Sequence, residues 1–359
     1  MSLIPFFLTL LSLLPSSCHT RLRVVSPSLP VVARVSKLYN WNHGILIDYT
    51  GIGHATVKML LEAGCSVIVA DLRLRPEAEA TLSQHPHPSS DPSKPSATFC
   101  PTDISDWTQI SSLWTTALET FPRIDIVVSC AGVYEPPSSS FWNPPGISPL
   151  AEDPEDAKVG QYKSFAINSI GPIRLSQIAI DYWQQNPDVE GNLLFVASMG
   201  GYMHSMQTPL YFASKAALVS MVKSLGGLKT ALGIRNAAVC PGAVFVCHSH
   251  SILRCQTNII QTPIFEQDYC RDRLQPGDIA LEPEDVAELV MRVLQKPQYG
   301  DGNIMEILMV GSKEEQSVNV REITLEALYP TVSPLGAGTR AMTEELKFFE
   351  KVKEKGMRP

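Results

Sequence analysis

The chain has 359 residues, 44% of them hydrophobic, eight cysteines and a formal net charge of −7. An acidic balance with no Lys/Arg stripe excludes a phosphate-neutralising face, so nucleic acid is not an expected partner. The cysteines, at positions 18, 65, 100, 130, 240, 247, 255 and 270, form no C-x-x-C pair, and several lie in apolar runs. They predict reduced, buried thiols, and neither a disulfide framework nor a metal site.

The first segment, LIPFFLTLLSLLP within Met1 to Pro15, has the length of a signal-peptide core and is too short to span a bilayer. It lacks a basic leader, and Ser16, Ser17 and Cys18 make an imperfect cleavage site. A cytoplasmic protein with a misassigned start is the expectation, and targeting to the secretory pathway or endoplasmic reticulum is the alternative. No stable membrane span is expected.

From residue 44 onward, apolar runs alternate with amphipathic segments. ATVKMLLEAG reads as a helix, SVIVAD as a strand ending at Asp71, and IDIVVS and NLLFVA as further strands. AALVSMVKSLGGL continues a helix, and NAAVC and NIMEILMV complete the set. Between them, HPHPSSDPSKPS at 85–96 is expected to be too polar and proline-rich to pack. Strand, helix, strand at this spacing predicts right-handed crossovers and a doubly wound α/β parallel sheet, a single Rossmann-type domain. The terminal TEELKFFEKVKEK reads as an amphipathic helix whose Leu346, Phe349 and Val352 either dock or sit in a solvated tail.

The chemistry is concentrated in FVASMGGYMHSMQTPLYFASK. Tyr211 and Lys215 stand at i and i+4, on one helix face, and Ser198 ends the NLLFVA strand where α/β sheets bind ligands. A phenol ordinarily titrates near ~10, and a neighbouring ammonium favours its phenolate. Lys215 is therefore expected to lower the Tyr211 pKa, while Ser198 donates to a substrate oxygen and Tyr211 takes or returns its proton. That is alcohol–ketone chemistry, and it requires a hydride partner.

These residues resemble the short-chain dehydrogenase/reductase family, nearest to fungal proteins similar to NAD-dependent 15-hydroxyprostaglandin dehydrogenase, through AGVYEPPSSSFWNPPG and TPLYFASKAAL. The resemblance spans residues 44–312, with 1–43 a non-homologous N-terminal segment and 313–359 a C-terminal tail bearing the terminal helix. It implies that Asn168 completes a catalytic tetrad by holding a water beside the lysine, and that Lys215 also binds ribose. It implies cofactor contacts at Asp103, Ala131, Gly132, Pro241, Gly242, Tyr211 and Lys215, with Ser129 and Cys130 standing where the family has two asparagines. It also implies a homodimer or homotetramer through the helices bearing Asn168 and Tyr211. Asp71, about twenty residues after the glycine loop, suits the ribose hydroxyls of NAD and repels a 2′-phosphate. Arg73 and Arg75 keep NADP open as the less favoured cofactor.

Two segments depart from the family pattern. In GILIDYTGIGHATV, Gly51, Ile52 and Gly53 match the end of T-G-x-x-x-G-x-G, but Leu46 and Ile47 replace its threonine and first glycine. A β-branched residue there is expected to crowd the phosphates. The alternative function follows: a catalytically impaired or non-catalytic binding protein. After Pro241 and Gly242, deleting Val246 through Gln261 restores P-G-x-x-x-T-P with Thr262 in place. Val-Cys, Thr-Asn and Ile-Gln can encode GTATGT, ACTAAC and ATACAG, so 246–261 is expected to be a retained intron, with a genuine loop insertion as the alternative. The substrate is a small-molecule alcohol or ketone; Thr208 stands where the prostaglandin dehydrogenases carry glutamine, so their substrate is not carried over.

Overall fold

The computed structural model describes residues 42–48, 51–243, 245–246, 260–261, 278–312, 315–324, 344, 347–348 and 350–357. β1 (His43–Ile47) leads into α1 (Ile52–Glu62), β2 (Ser66–Asp71), α2 (Pro76–Gln84), β3 (Ala97–Pro101), α3 (Trp107–Thr120) and β4 (Ile126–Ser129). A long loop with one 3₁₀ turn (Pro137–Ser139) precedes α4 (Lys163–Phe165), a π-helical turn (Ala166–Ile170) and α5 (Gly171–Gln185). Next come β5 (Asn192–Val196), a 3₁₀ turn (Met199–Gly201), α6 (Pro209–Ser224), α7 (Leu228–Leu232) and β6 (Arg235–Pro241). The short pair β7 (Phe245–Val246) and β8 (Ile260–Gln261) is followed by α8 (Pro283–Gln295), β9 (Asp301–Gly311) and β10 (Gln316–Glu322).

The main sheet runs β10-β9-β6-β5-β4-β1-β2-β3, parallel throughout except for β10 on β9. This is the doubly wound α/β fold that the alternation of runs implies. The central strands read as unbroken apolar runs because helices cover both faces, and β5 and β6 are buried along their whole length. On one face Val57 and Leu60 of α1 pack with Val286 and Val290 of α8 over Leu46, Val67 and Val128. On the other, Leu113 of α3, Leu175 of α5 and Leu218 of α6 cover Ile45, Val127 and Phe195.

β1, short as it is, takes the central place, with Leu46 beside Val69 on one side and Val128 on the other. The chain winds away from it in opposite directions toward β3 and toward β6, so the crevice between β1 and β4 is the topological switch point.

Two strands carry no clear sequence signal. β3 is only half buried, and β10 is an exposed edge lying in the residues assigned above to the C-terminal tail. Edge strands need no continuous apolar pattern. The 85–96 segment does make contact with the core: the His87 ring stands edge-on 5.3 Å from Phe121, and its Nδ1 lies 3.0 Å from Ser96 Oγ. The ends of the 246–261 segment pair with each other, Val246 opposite Ile260, apart from the main sheet. Residues 247–259 and Thr262 lie outside the described residues, as does the apolar run at the N-terminus. No described helix is long and apolar enough to cross a membrane.

Candidate active site

A cleft of about 670 Å³ opens over the carboxyl ends of β1, β4 and β5. Asp71, Asp103, Gly51 and Ile52 line one end, Ala131 and Gly132 the middle, and Ser198, Tyr211, Lys215, Pro241 and Gly242 the other. The fold thus gathers, from segments far apart in sequence, most of the residues that the sequence singled out. Gly53 and Asn168 stand behind the lining and support it.

Ser198 follows β5, and its Oγ accepts the Gly200 N–H at 3.0 Å, which fixes the turn. Tyr211 sits in the first turn of α6, buried, and is hydrogen-bonded through its side chain to Ser198. Lys215, one turn on, is also buried and donates to the Val196 carbonyl at 3.3 Å. A methyl added at Gly132 would stand 3.2 Å from Lys215 Nζ, so the missing side chain keeps that approach open.

The electrostatics correct one expectation. Tyr211 is pushed up to about 12, chiefly by burial, with the Ser198 hydrogen bond working in the opposite direction. Lys215 does not bring the phenol toward neutrality here. Burial also holds the lysine itself down to about 8, with Cys240, Cys130 and Asp48 opposing that shift. Desolvation disfavours both charged forms, and the ammonium gives one of its three donors to the β5 carbonyl.

Asn168 occupies the π turn and is fully buried. Its Oδ1 accepts the Val133 N–H at 2.8 Å, and its Nδ2 donates to the Val133 carbonyl and to Ser214 Oγ, both at 3.0 Å. Ser214 Oγ in turn donates to the Tyr211 carbonyl at 2.7 Å. Both amide hydrogens are therefore committed to holding the β4 loop against α6. A π turn inserts a residue into the helical ladder, a distortion frequent at functional sites.

At the other end, Gly51 caps α1, whose first turn carries no acidic residue, and Gly51 and Ile52 bring the positive end of that helix to the cleft. Gly53 admits no side chain, because a Cβ there would lie 1.8 Å from the Asp48 carbonyl oxygen. Asp71 ends β2 and its Oδ1 accepts the Leu72 N–H at 2.6 Å. Asp103 accepts from Ser105 N and Oγ. Ile47 is buried in its strand, and the left-handed conformation falls instead on Asp48, with φ 77°.

The short chain dehydrogenase family profile matches residues 48–253, more than half of the chain. The chain belongs to that family. It is therefore an oxidoreductase of the class acting on CH–OH groups with a nicotinamide dinucleotide. Human 15-hydroxyprostaglandin dehydrogenase [NAD(+)] is 26% identical over 262 residues, covering 72% of this chain and 86% of that protein. An uncharacterised oxidoreductase of Staphylococcus aureus is 24% identical over 255 residues, with 71% and 90% covered. The crystal structure of a 3-ketoacyl-(acyl-carrier-protein) reductase from Brucella melitensis complexed with NADH superposes with TM-score 0.53 at 22% identity. That match covers 74% of this chain and 96% of that one, and it shows the shared fold.

For a short-chain dehydrogenase, the residues that sequence reading missed are Asp48, Tyr134 and Glu135. The Tyr134 ring packs 4.6 Å from Tyr211, and its OH lies 2.9 Å from Thr208 Oγ1. The Glu135 carboxylate is buried against the start of α6. Only Asp48 had a local signal, an acidic residue in a phosphate-type turn; Tyr134 meets Thr208, and Glu135 meets the start of α6, across more than seventy residues.

Proposed function

We propose that this chain interconverts a secondary alcohol and a ketone with NAD as the hydride carrier. The observation that carries the reading is one continuous cleft joining the Ser198–Tyr211–Lys215 group to the N-terminus of α1 and to Asp71. The residues suit a dinucleotide. The α1 N-terminus would hold the pyrophosphate and Asp71 the adenosine ribose. Gly132 and Gly242 would leave room for the nicotinamide ribose beside Lys215. Bound there, the cofactor supplies the hydride acceptor or donor.

The protein's own part is proton handling. Ser198 holds the substrate oxygen, and Tyr211 gives the proton on reduction or accepts it on oxidation. With its pKa raised to about 12, Tyr211 is protonated at neutral pH and ready as an acid. Ketone reduction thus has its proton donor in place near neutrality, and alcohol oxidation, which uses the deprotonated tyrosine, gains rate as pH rises. Lys215 and Asn168, which would hold a water beside it, would relay the tyrosine proton outward.

Asp71 at the strand end supports NAD over NADP, although Arg73 and Arg75 also line the cleft. The apolar lining by Tyr134, Met203 and Phe212 supports a hydrophobic substrate face. We further infer a cytoplasmic protein, since the described cysteines are all free, and a homodimer or homotetramer, supported by the exposed Ile170 and Ile173 beside the Asn168 turn. Residues 44–312 remain our proposed catalytic domain, with 246–261 as an insert. Calorimetric titration with NAD and NADP, followed by alcohol-dependent formation of reduced nicotinamide, tests the reading. Tighter binding of NAD supports it, and absence of binding by either cofactor overturns it.

A further inference from the structure

We infer that Glu135 is a positioning residue that sets the acid/base tyrosine and ties it to the loop over the cleft. The inference rests on the role given above to Tyr211. A helix leaves its first N–H groups without internal partners, and a residue at the N-cap ordinarily satisfies them. In α6 the cap is Thr208, which makes no side-chain cap bond; its Oγ1 is engaged with Tyr134 OH instead. Pro209 has no N–H to satisfy.

The two remaining first-turn donors, Leu210 N and Tyr211 N, both go to Glu135 Oε2, at 2.7 and 3.1 Å. The catalytic helix is therefore capped from a distance by a carboxylate that follows β4 in sequence by only a few residues. Its other oxygen, Oε1, accepts Ser140 Oγ and Phe141 N, each at 2.9 Å. One buried carboxylate, 3% exposed, thus joins the helix bearing Tyr211 to the long loop at the cleft mouth.

That loop is fastened a second time, where Trp142 Nε1 donates to the Met206 carbonyl at 2.8 Å. Tyr134, packed on the Tyr211 ring, completes the clasp. Glutamate suits this place because both its oxygens accept. Glutamine offers one acceptor and an NH₂ that would face an N–H, so it can serve the helix or the loop but not both.

The test compares Glu135→Gln and Glu135→Ala with the full-length wild type on one secondary alcohol, measuring kcat, KM, NAD dissociation constant and melting temperature. We expect Glu135→Ala to lower kcat by at least about 30-fold, the scale of a misplaced catalytic group. The KM and the NAD constant should stay within about threefold, and Glu135→Gln should recover part of the lost rate. Unchanged kcat in both variants overturns the inference, and so does a loss of rate matched by an equal loss of NAD binding. Should Glu135→Ala fail to fold, Glu135→Gln decides alone: lower kcat with NAD binding kept supports the role, and unchanged kcat ends it. Tyr211→Phe runs alongside. A rate that survives that change ends the reading of Tyr211, whereas loss there with none in the Glu135 variants ends this inference only.

Discussion

At the β5–α6 end of the cleft, each polar group that would touch the reacting atoms is held by a second one. Ser198 is fixed by Gly200, Lys215 by the Val196 carbonyl, and the start of α6 by Glu135. At the β1–α1 turn the arrangement is looser. A buried isoleucine stands where the family has glycine, and an aspartate takes a left-handed backbone conformation that L-residues adopt at a cost. Asp48 also places a carboxylate in the turn that would face a pyrophosphate, close enough to add to the burial that raises Cys130 and to oppose the burial that lowers Lys215. Proton transfer and cofactor seating are therefore separable here: one end is strongly specified, while the other would have to hold its proposed anion at the helix N-terminus against a nearby negative charge.

After Tyr211 itself, the largest break in that contrast is expected at Ser198. Ser198→Ala removes the donor to the substrate oxygen and should lower kcat by about 10²–10³, with NAD affinity unchanged by titration. A loss confined to cofactor binding would contradict the division of labour.

Lys215→Met sharpens the contrast through stability. Burial keeps the native lysine near 8, below the ordinary ~10.4, so the unfolded chain binds more protons between those values. Lysine's contribution to stability thus rises with pH through that window and is a penalty below it. In urea unfolding, Lys215→Met should exceed wild type by on the order of 1–3 kcal/mol near pH 7, and the gap should close toward about pH 10. A gap independent of pH would mean that the lysine is not the source.

The smallest effect concerns the other end. Asp48→Asn removes like-charge repulsion worth about 1 kcal/mol where water screens the pair, so NAD should bind roughly fivefold tighter. The advantage should shrink at high salt. Unchanged affinity would show that Asp48 points away from the bound anion.

Much of this was legible in the sequence because its signals are local. SVIVAD and NLLFVA carry their burial in an unbroken apolar run, and Tyr211 and Lys215 carry their shared face in the helical period. What escaped is non-local. Glu135 caps a helix 76 residues further on, and nothing near it in the chain announces that partner. The direction of the Tyr211 shift escaped for the same reason: the lysine is visible in the spacing, but the burial that outweighs it comes from the packed surroundings. β10 escaped because an exposed edge has no apolar code.

The central claim is that Tyr211 moves the proton in an NAD-linked alcohol–ketone reaction. It is tested most directly by initial rates of reduced-nicotinamide formation from a secondary alcohol, comparing wild type with Tyr211→Phe at saturating NAD. The account predicts a loss of at least about 10³ in kcat with the melting temperature and NAD affinity preserved. A phenylalanine variant that turns over at the wild-type rate would contradict it.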